Sequence, residues 1–130
     1  MAKEILVNDG GAPARIIPMV CNEAISAGEA LKMHTDGYVM LATALQEIIG
    51  FALTDAVALG TVNVVSGSGV VLNVITDVVV VGNELSVDEA KNGFLKPKTA
   101  YSGGTQSDEI VAIALETNAT TATLTKVMVV

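Results

Sequence analysis

The sequence predicts an all-β fold, a compact β-barrel built from short strands. The first observation is composition: Val, Ile and Thr supply 40 of the 130 residues, and such β-branched side chains are stiff at χ1 and fit a pleated surface. The second is spacing, because short apolar runs alternate with Gly-containing turns and give about eight to ten strands. The third is that one order of turns and strands occurs twice along the chain.

Residues 1–20 are predicted to form an extended N-terminal arm, followed by a single β-rich domain at residues 21–130. A chain of 130 residues has the size of one ordinary domain. Two glycines and two prolines interrupt the arm and oppose a helix. Because such arms can add strands to another sheet, we expect two apolar triplets to bind a partner or a neighbouring copy: Ile5, Leu6, Val7 and Arg15, Ile16, Ile17. The alternative is that the arm is simply the first edge strand of the domain.

The internal repeat begins at residues 27–33 in the first copy and at residues 81–87 in the second. Each copy continues with a Gly-containing turn, an aromatic-led strand, a loop and a strand in which Ala alternates with larger apolar residues. Small residues in that strand let the interior of a small barrel close tightly. The loop is longer in the second copy, at residues 99–108. Residues 66–69 (Ser-Gly-Ser-Gly) are expected to connect a hairpin between the copies, and short helical turns are predicted at 23–27, 56–59 and 87–91.

Charge and composition exclude several kinds of partner. The chain has 7 basic and 14 acidic residues, a net charge of −7, which disfavours a protein that binds nucleic-acid phosphates. Its apolar runs are far shorter than the ~18–20 residues of a membrane span, so no membrane partner is expected. Cys21 is the single cysteine, which excludes an intrachain disulfide and a thiolate zinc site and predicts a small buried thiol.

The motifs of catalysis are missing from the sequence. His34 is the single histidine and Asp36 lies two residues on, but Thr35-Asp36-Gly37 is typical of an exposed turn, which cannot exclude water or preorganise a charge. Residues 67–69 (Gly-Ser-Gly) lack the Gly-x-Ser-x-Gly spacing of a nucleophile elbow. Neither a phosphate-binding glycine motif nor a calcium-loop pattern occurs. We therefore expect a protein that is not an enzyme, with no catalytic, cofactor-binding or metal-ligating residues.

The turns and small-residue strands of the repeat resemble those of small bacteriophage capsid decoration, or cement, proteins. The resemblance runs from about residue 20 to the end and rests on residues 25–31 (ISAGEAL), 48–56 (IIGFALTDA), 80–85 (VVGNEL) and 110–116 (IVAIALE). Ala112 departs from it, because that family often has Gly there, as at Gly50 in this chain. The resemblance implies a compact β-tulip barrel that assembles as a trimer on the outside of the phage head and has no catalytic residue.

The implied function is structural. We expect a virion protein, made in the host cytoplasm, that binds the outer surface of a phage capsid and stabilises it by bridging neighbouring capsid subunits. Its expected partners are the major capsid protein and further copies of itself, and the two triplets of the arm are expected to contact one or the other. The composition agrees, because a domain of 13.3 kDa buries only about 65% of its chain surface and leaves apolar surface for a partner. The alternatives are another phage structural or adaptor module, such as a tail or fibre base, and a small-ligand-binding β-barrel.

Overall fold

The computed structural model describes residues 5–8, 14–43, 48–88, 91–98 and 110–130, and their regular elements are all β-strands. The strands are β1 (Leu6–Asn8), β2 (Arg15–Val20), β3 (Ala30–Met33), β4 (Val39–Leu41), β5 (Gly50–Ala52), β6 (Thr61–Ser66), β7 (Val71–Thr76), β8 (Glu84–Val87), β9 (Leu95–Pro97), β10 (Ala112–Ala114) and β11 (Thr123–Val129). The predicted all-β fold is confirmed. The described ranges contain no helix long and apolar enough to cross a membrane.

The strands form two small barrels. The first barrel has the order β2-β6-β5-β3-β4, and the second has the order β7-β11-β10-β8-β9, with β1 added beside β7. Neighbouring strands are antiparallel, but each ring closes through a parallel contact, Cys21 with Val39 in the first barrel and Thr76 with Leu95 in the second. Each closure consists of one residue pair, so most of the outer edges of β2 and β7 are not paired by it.

The second barrel repeats the strand register of the first. The Leu31–Gly50 pair of the first barrel matches the Leu85–Ala112 pair of the second. In the same way, Phe51–Val65 matches Ile113–Met128, and Ile25–Ala56 matches Val79–Asn118. The internal repeat predicted from the sequence is therefore confirmed. Ala112 takes the place of Gly50 in the second barrel and continues the same strand pairing.

Alternate residues in the strands of the first barrel serve two different cores. One set lines the interior of the first barrel: Cys21, Ile25, Leu31, Val39, Ala52, Val62 and Val64. The neighbouring residues Ala30, Phe51 and Val65 belong instead to the buried cluster of the second barrel, together with Leu72 and Leu85. Because side chains alternate between the two faces of a strand, β3, β5 and β6 each contribute an apolar side chain to both clusters and join the two barrels.

Some local expectations from the sequence are wrong. Residues 66–69 do not connect a hairpin, because β6 belongs to the first barrel and β7 to the second, so this turn links the barrels. The expected helical turns at 23–27 and 56–59 are loops that bond to each other through Ile25 and Ala56. This loop-to-loop pairing satisfies backbone groups that a single helical turn leaves open. The expected burial of Cys21 is confirmed.

Two further expectations concern the second copy. The third expected helical turn, at 87–91, begins on the last residue of β8, and its residues 89–90 lie outside the described residues. The loop at 99–108 also lies outside them.

A polar cluster lies where the second barrel closes. Lys91 Nζ, in the turn between β8 and β9, is 2.8 Å from Oδ1 of Asp77 after β7, and the Thr121 hydroxyl donates to the same oxygen. A hydrogen bond with Asp88 is the largest cause that lowers the pKa of Asp77 to about 2, and Lys91 and Thr121 act in the same direction. The cluster thus links the end of β7 to the β8–β9 turn and to the turn before β11.

Gly50 is required by a close approach between strands. A Cβ atom there would lie 2.5 Å from the backbone oxygen of Val65 and 2.8 Å from Cγ1 of Val64. Replacing Gly by Ala inside a strand normally stabilises a protein by about 0.5–1 kcal/mol. We expect the opposite sign for Gly50→Ala, a loss of about 1–3 kcal/mol from overpacking, measured by urea denaturation. Ala112→Gly is the control at the matching position and loses about 1 kcal/mol of strand propensity; an unchanged or raised stability of Gly50→Ala would contradict the close approach.

The low pKa of Asp77 makes stability depend on acid pH. A carboxyl with a pKa of about 2 in the folded state and about 3.9 when unfolded adds stability that is full above pH 4 and is lost as the pH falls toward 2. We expect the melting temperature of the wild type to fall between pH 5 and pH 2 more steeply than that of Asp77→Asn, which cannot titrate there. Thermal unfolding followed by circular dichroism measures both slopes, and equal slopes would contradict the assignment.

Candidate docking surfaces

The His34–Asp36 pair lies in an exposed turn, as the sequence predicts. Oδ1 of Asp36 accepts a hydrogen bond from the Tyr38 backbone N–H at 2.9 Å and lies 3.1 Å from His34 Nδ1. The bond from Tyr38 is the largest cause that lowers the pKa of Asp36. Gly37 completes the turn with φ +90°, a conformation that favours glycine. The two side chains are 43% and 40% exposed, so the pair stabilises a turn in contact with solvent.

The first predicted binding triplet has a partner within its own chain. Leu6 pairs antiparallel with Leu72 of β7, and the Ile5 carbonyl accepts a hydrogen bond from the Asn73 N–H at 2.7 Å. Ile5 is buried, and Val7 lies in β1 next to Leu6. This triplet therefore covers the edge of β7 in the second barrel.

The second predicted triplet begins β2 and lies in the first barrel. Arg15, Ile16 and Ile17 pair with β6, and all three are exposed, Ile16 at 48% and Ile17 at 50%. Two more apolar side chains nearby are 40–41% exposed, Val20 on the same strand and Met33 at the end of β3. We call these five residues the β2 surface. The structure thus separates the two predicted triplets, with one lying against β7 and the other forming an exposed apolar strand.

The far edge of β2 carries a proline. Cys21 donates its N–H to the Gly60 carbonyl in the loop before β6, so by strand alternation the backbone of Val20, Pro18 and Ile16 points away from β6. Pro18 has no N–H to offer a further strand, and proline within a sheet is typical of edge strands. This edge therefore discourages uncontrolled strand addition, while its side chains remain exposed.

A second apolar surface lies in the loop between β7 and β8. Val79 is buried and bonds in both directions with Asn118, and this fixes the loop. Its neighbours Val78, Val80 and Val81 are 52%, 55% and 58% exposed. We call these three residues the valine loop. Because its backbone is held, the loop presents aliphatic side chains to a partner without a large ordering cost.

A shallow cleft of about 240 Å³ lies where the two barrels meet. Ile49, Phe51, Ser68, Val111 and Val130 are among its lining residues, and those described include no charged side chain. Ligand pockets are typically about 300–1,000 Å³ and contain convergent polar groups. Within the described ranges, no three His, Cys, Asp or Glu side chains are grouped to hold a metal ion. The cleft therefore gives little support to a small-ligand function.

Comparison with known proteins adds a fold likeness. No protein-family model and no curated protein matches the sequence. A solved structure shares the fold. It is the crystal structure of the N base of head fiber gp8.5 in bacteriophage phi29, with a TM-score of 0.67 and 16% sequence identity, and the match covers 91% of this chain and 95% of that one. At this identity the likeness concerns the fold alone.

Sequence reasoning missed part of both surfaces. Met33 joins the β2 surface only through the register that pairs it with Val39, and no local pattern marks it. The valine loop was visible as an apolar run at 78–81, but such a run fits a buried strand equally well. In the structure only Val79 of this run is buried, and its backbone bonds with Asn118 hold the run as a loop.

Proposed function

We propose that the protein is a structural component of a phage virion that binds the outer surface of the capsid as a trimer and bridges neighbouring capsid subunits. The observation that carries the proposal is the presence of two separate exposed apolar surfaces on one small fold. A protein that bridges needs one surface for copies of itself and one for the capsid. A symmetric oligomer on a repeating lattice then gains avidity from several modest contacts.

The fold likeness supports the virion assignment. The similar solved chain is named as the base of a phage head fiber, and the sequence resembles small capsid decoration proteins. The net charge of −7 does not favour DNA as the partner, which agrees with a position outside the packaged genome. We assign the valine loop to the capsid contact, since its side chains are the most exposed apolar group in the described part of the second barrel.

A fibre base is the second candidate, and the same likeness favours it. In that case the chain would anchor a longer appendage to the head instead of reinforcing the shell. The two candidates differ in copy number, because a decoration protein occupies roughly every capsid subunit of the lattice and a fibre base occupies few positions.

Sedimentation with capsids that lack the protein tests the proposal. We expect the purified protein to have the mass of a trimer by light scattering and to co-sediment at roughly one copy per capsid subunit. Saturation at a few copies per particle would favour the fibre base. A chain that does not sediment with capsids at any concentration would overturn both candidates.

Substitutions in the valine loop test the assigned surface. Val78→Asp with Val80→Asp places two charges in the expected contact, and we expect at least about a tenfold loss of capsid affinity, the effect of losing about 1.4 kcal/mol. The mass in solution should not change. Val57→Asp is the matched control, because Val57 is a 74% exposed valine in a loop of the first barrel. Equal affinity of the double variant and the control would contradict the assignment.

A further inference from the structure

The contact between the two barrels of one chain joins unlike surfaces. The first barrel contributes the outer face of its sheet, through Ala30, Phe51 and Val65. The second barrel contributes the side that includes β7, where Leu72 and Val87 are buried in the same cluster. Because the two barrels are copies of each other, each of them also carries the surface that the other one uses. The contact is therefore heterologous, face against side.

The unused counterparts are exposed. By register, Ile17 and Met33 of the first barrel match Leu72 and Val87 of the second. Leu72 and Val87 are 0% and 8% exposed, while Ile17 and Met33 are 50% and 40% exposed. The side that is covered in the second barrel is therefore exposed to solvent in the first barrel.

The second barrel likewise has an uncovered face. Its residues that match Ala30, Phe51 and Val65 are Glu84, Ile113 and Met128. The first three are buried at 0–1% exposure, whereas Glu84 is exposed and Ile113 and Met128 are partly exposed. We call Glu84, Ile113 and Met128 the β10 face.

Two matching glycines show the same difference. The Gly28 carbonyl accepts a hydrogen bond from the Ile75 N–H at 2.9 Å, and a Cβ at Gly28 would lie 2.6 Å from Leu124 of the second barrel. Gly82 occupies the same place in the second barrel, and a Cβ atom there would meet nothing within 4 Å. The residue that matches Ile75 is Val20, whose N–H points to the free edge of β2. The donor and the acceptor of the barrel contact are therefore both repeated at outer surfaces of the chain.

We infer that the β10 face of one copy packs on the β2 surface of a second copy, repeating between chains the contact that joins the two barrels within a chain. Ile113 and Met128 would cover Ile17 and Met33, and the Gly82 carbonyl would accept the Val20 N–H of the neighbour. A heterologous contact closes into a ring when its rotation allows. In a trimer, this gives a ring of barrels in which contacts within and between chains alternate. The inference rests on the self-association in the proposed function and names its surfaces.

Two positions that are apolar in the contact within the chain carry charged residues on the outer surfaces. Glu84 replaces Ala30 on the β10 face. Arg15 of the β2 surface matches Val70 of the second barrel, because Arg15 precedes Val20 by the same five residues that separate Val70 from Ile75. Ala30 and Val70 belong to the same buried cluster. The contact between chains would thus include one acidic and one basic residue at positions that are apolar in the contact within the chain.

The proline of β2 decides what kind of contact this edge makes. Pro18 matches Asn73, the residue whose N–H bonds to the Ile5 carbonyl beside β1. A second β1-like strand added to β2 would lose that bond, because proline has no N–H. The side chains of the β2 surface, together with the Val20 N–H, therefore provide the contact.

Cysteine cross-linking distinguishes this contact from a two-fold one. We expect Ile17→Cys with Ile113→Cys in one chain to give covalent dimers and trimers with a short bismaleimide, while each single variant stays uncross-linked. Mixing the two single variants should give dimers only. The native Cys21 is buried, and the wild type serves as the background control. Cross-linking of either single variant alone, or none in the double variant, would overturn the inference.

Charge insertion provides an independent measurement. Ile17→Asp and Ile113→Asp should each raise the dissociation concentration of the oligomer about fivefold or more, because each places a carboxylate in the apolar contact. Ala24→Asp is the control, the same charge on an exposed loop residue outside both surfaces. An Ile17 or Ile113 variant that leaves the mass unchanged, or a wild type that stays monomeric, would overturn the inference. Failure of the proposed function is a separate result, namely a trimer with these contacts that does not bind capsids.

Discussion

The fold depends on three strands that contribute apolar side chains to two cores at once. In β3, β5 and β6, Leu31, Ala52 and Val64 fill the first barrel, while their neighbours Ala30, Phe51 and Val65 enter the core of the second. A barrel of five short strands encloses too little apolar surface to be stable alone. Because β3, β5 and β6 contribute side chains to both cores, the two barrels together bury one larger apolar core. The scarcity of aromatic side chains, 3% of the chain, agrees with interiors that only small aliphatic residues fit.

The two copies of the repeat have the same strand register, but their surroundings differ. Gly50 and Ala112 hold the same strand register, yet at Gly50 a backbone oxygen lies 2.5 Å from where a Cβ would be, whereas Ala112 carries its Cβ. The edge of β7 receives β1, whereas the edge of β2 carries Pro18. The second barrel thus has this side covered within the chain, whereas the first barrel exposes the same side to solvent. A tandem of two copies joined by a heterologous contact always leaves one face and one side unused.

This inequality explains why the apolar side chains Ile17 and Met33 of the β2 surface are exposed. The β2 surface and the valine loop lie on different barrels and are held by regular pairing, by β6 in one case and by the bond between Val79 and Asn118 in the other. Surfaces that are already ordered bind without a large loss of chain entropy. The His34–Asp36 turn, by contrast, is accounted for by the hydrogen bonds that hold a hairpin. The described residues thus provide ordered apolar contact surfaces on both barrels.

The sequence by itself determined the strand-rich class, the internal repeat and the buried Cys21, because these follow from composition, turn spacing and the alternation of small residues. It did not determine that residues 66–69 link two barrels, since a Gly-rich turn between strands is the same locally whether those strands pair or separate. It also did not distinguish Ile5 from Ile17, both in short apolar triplets, although one is buried and the other half exposed. Only the tertiary structure decided these points, because burial depends on which barrel supplies a neighbour, and that contact joins residues far apart in the chain.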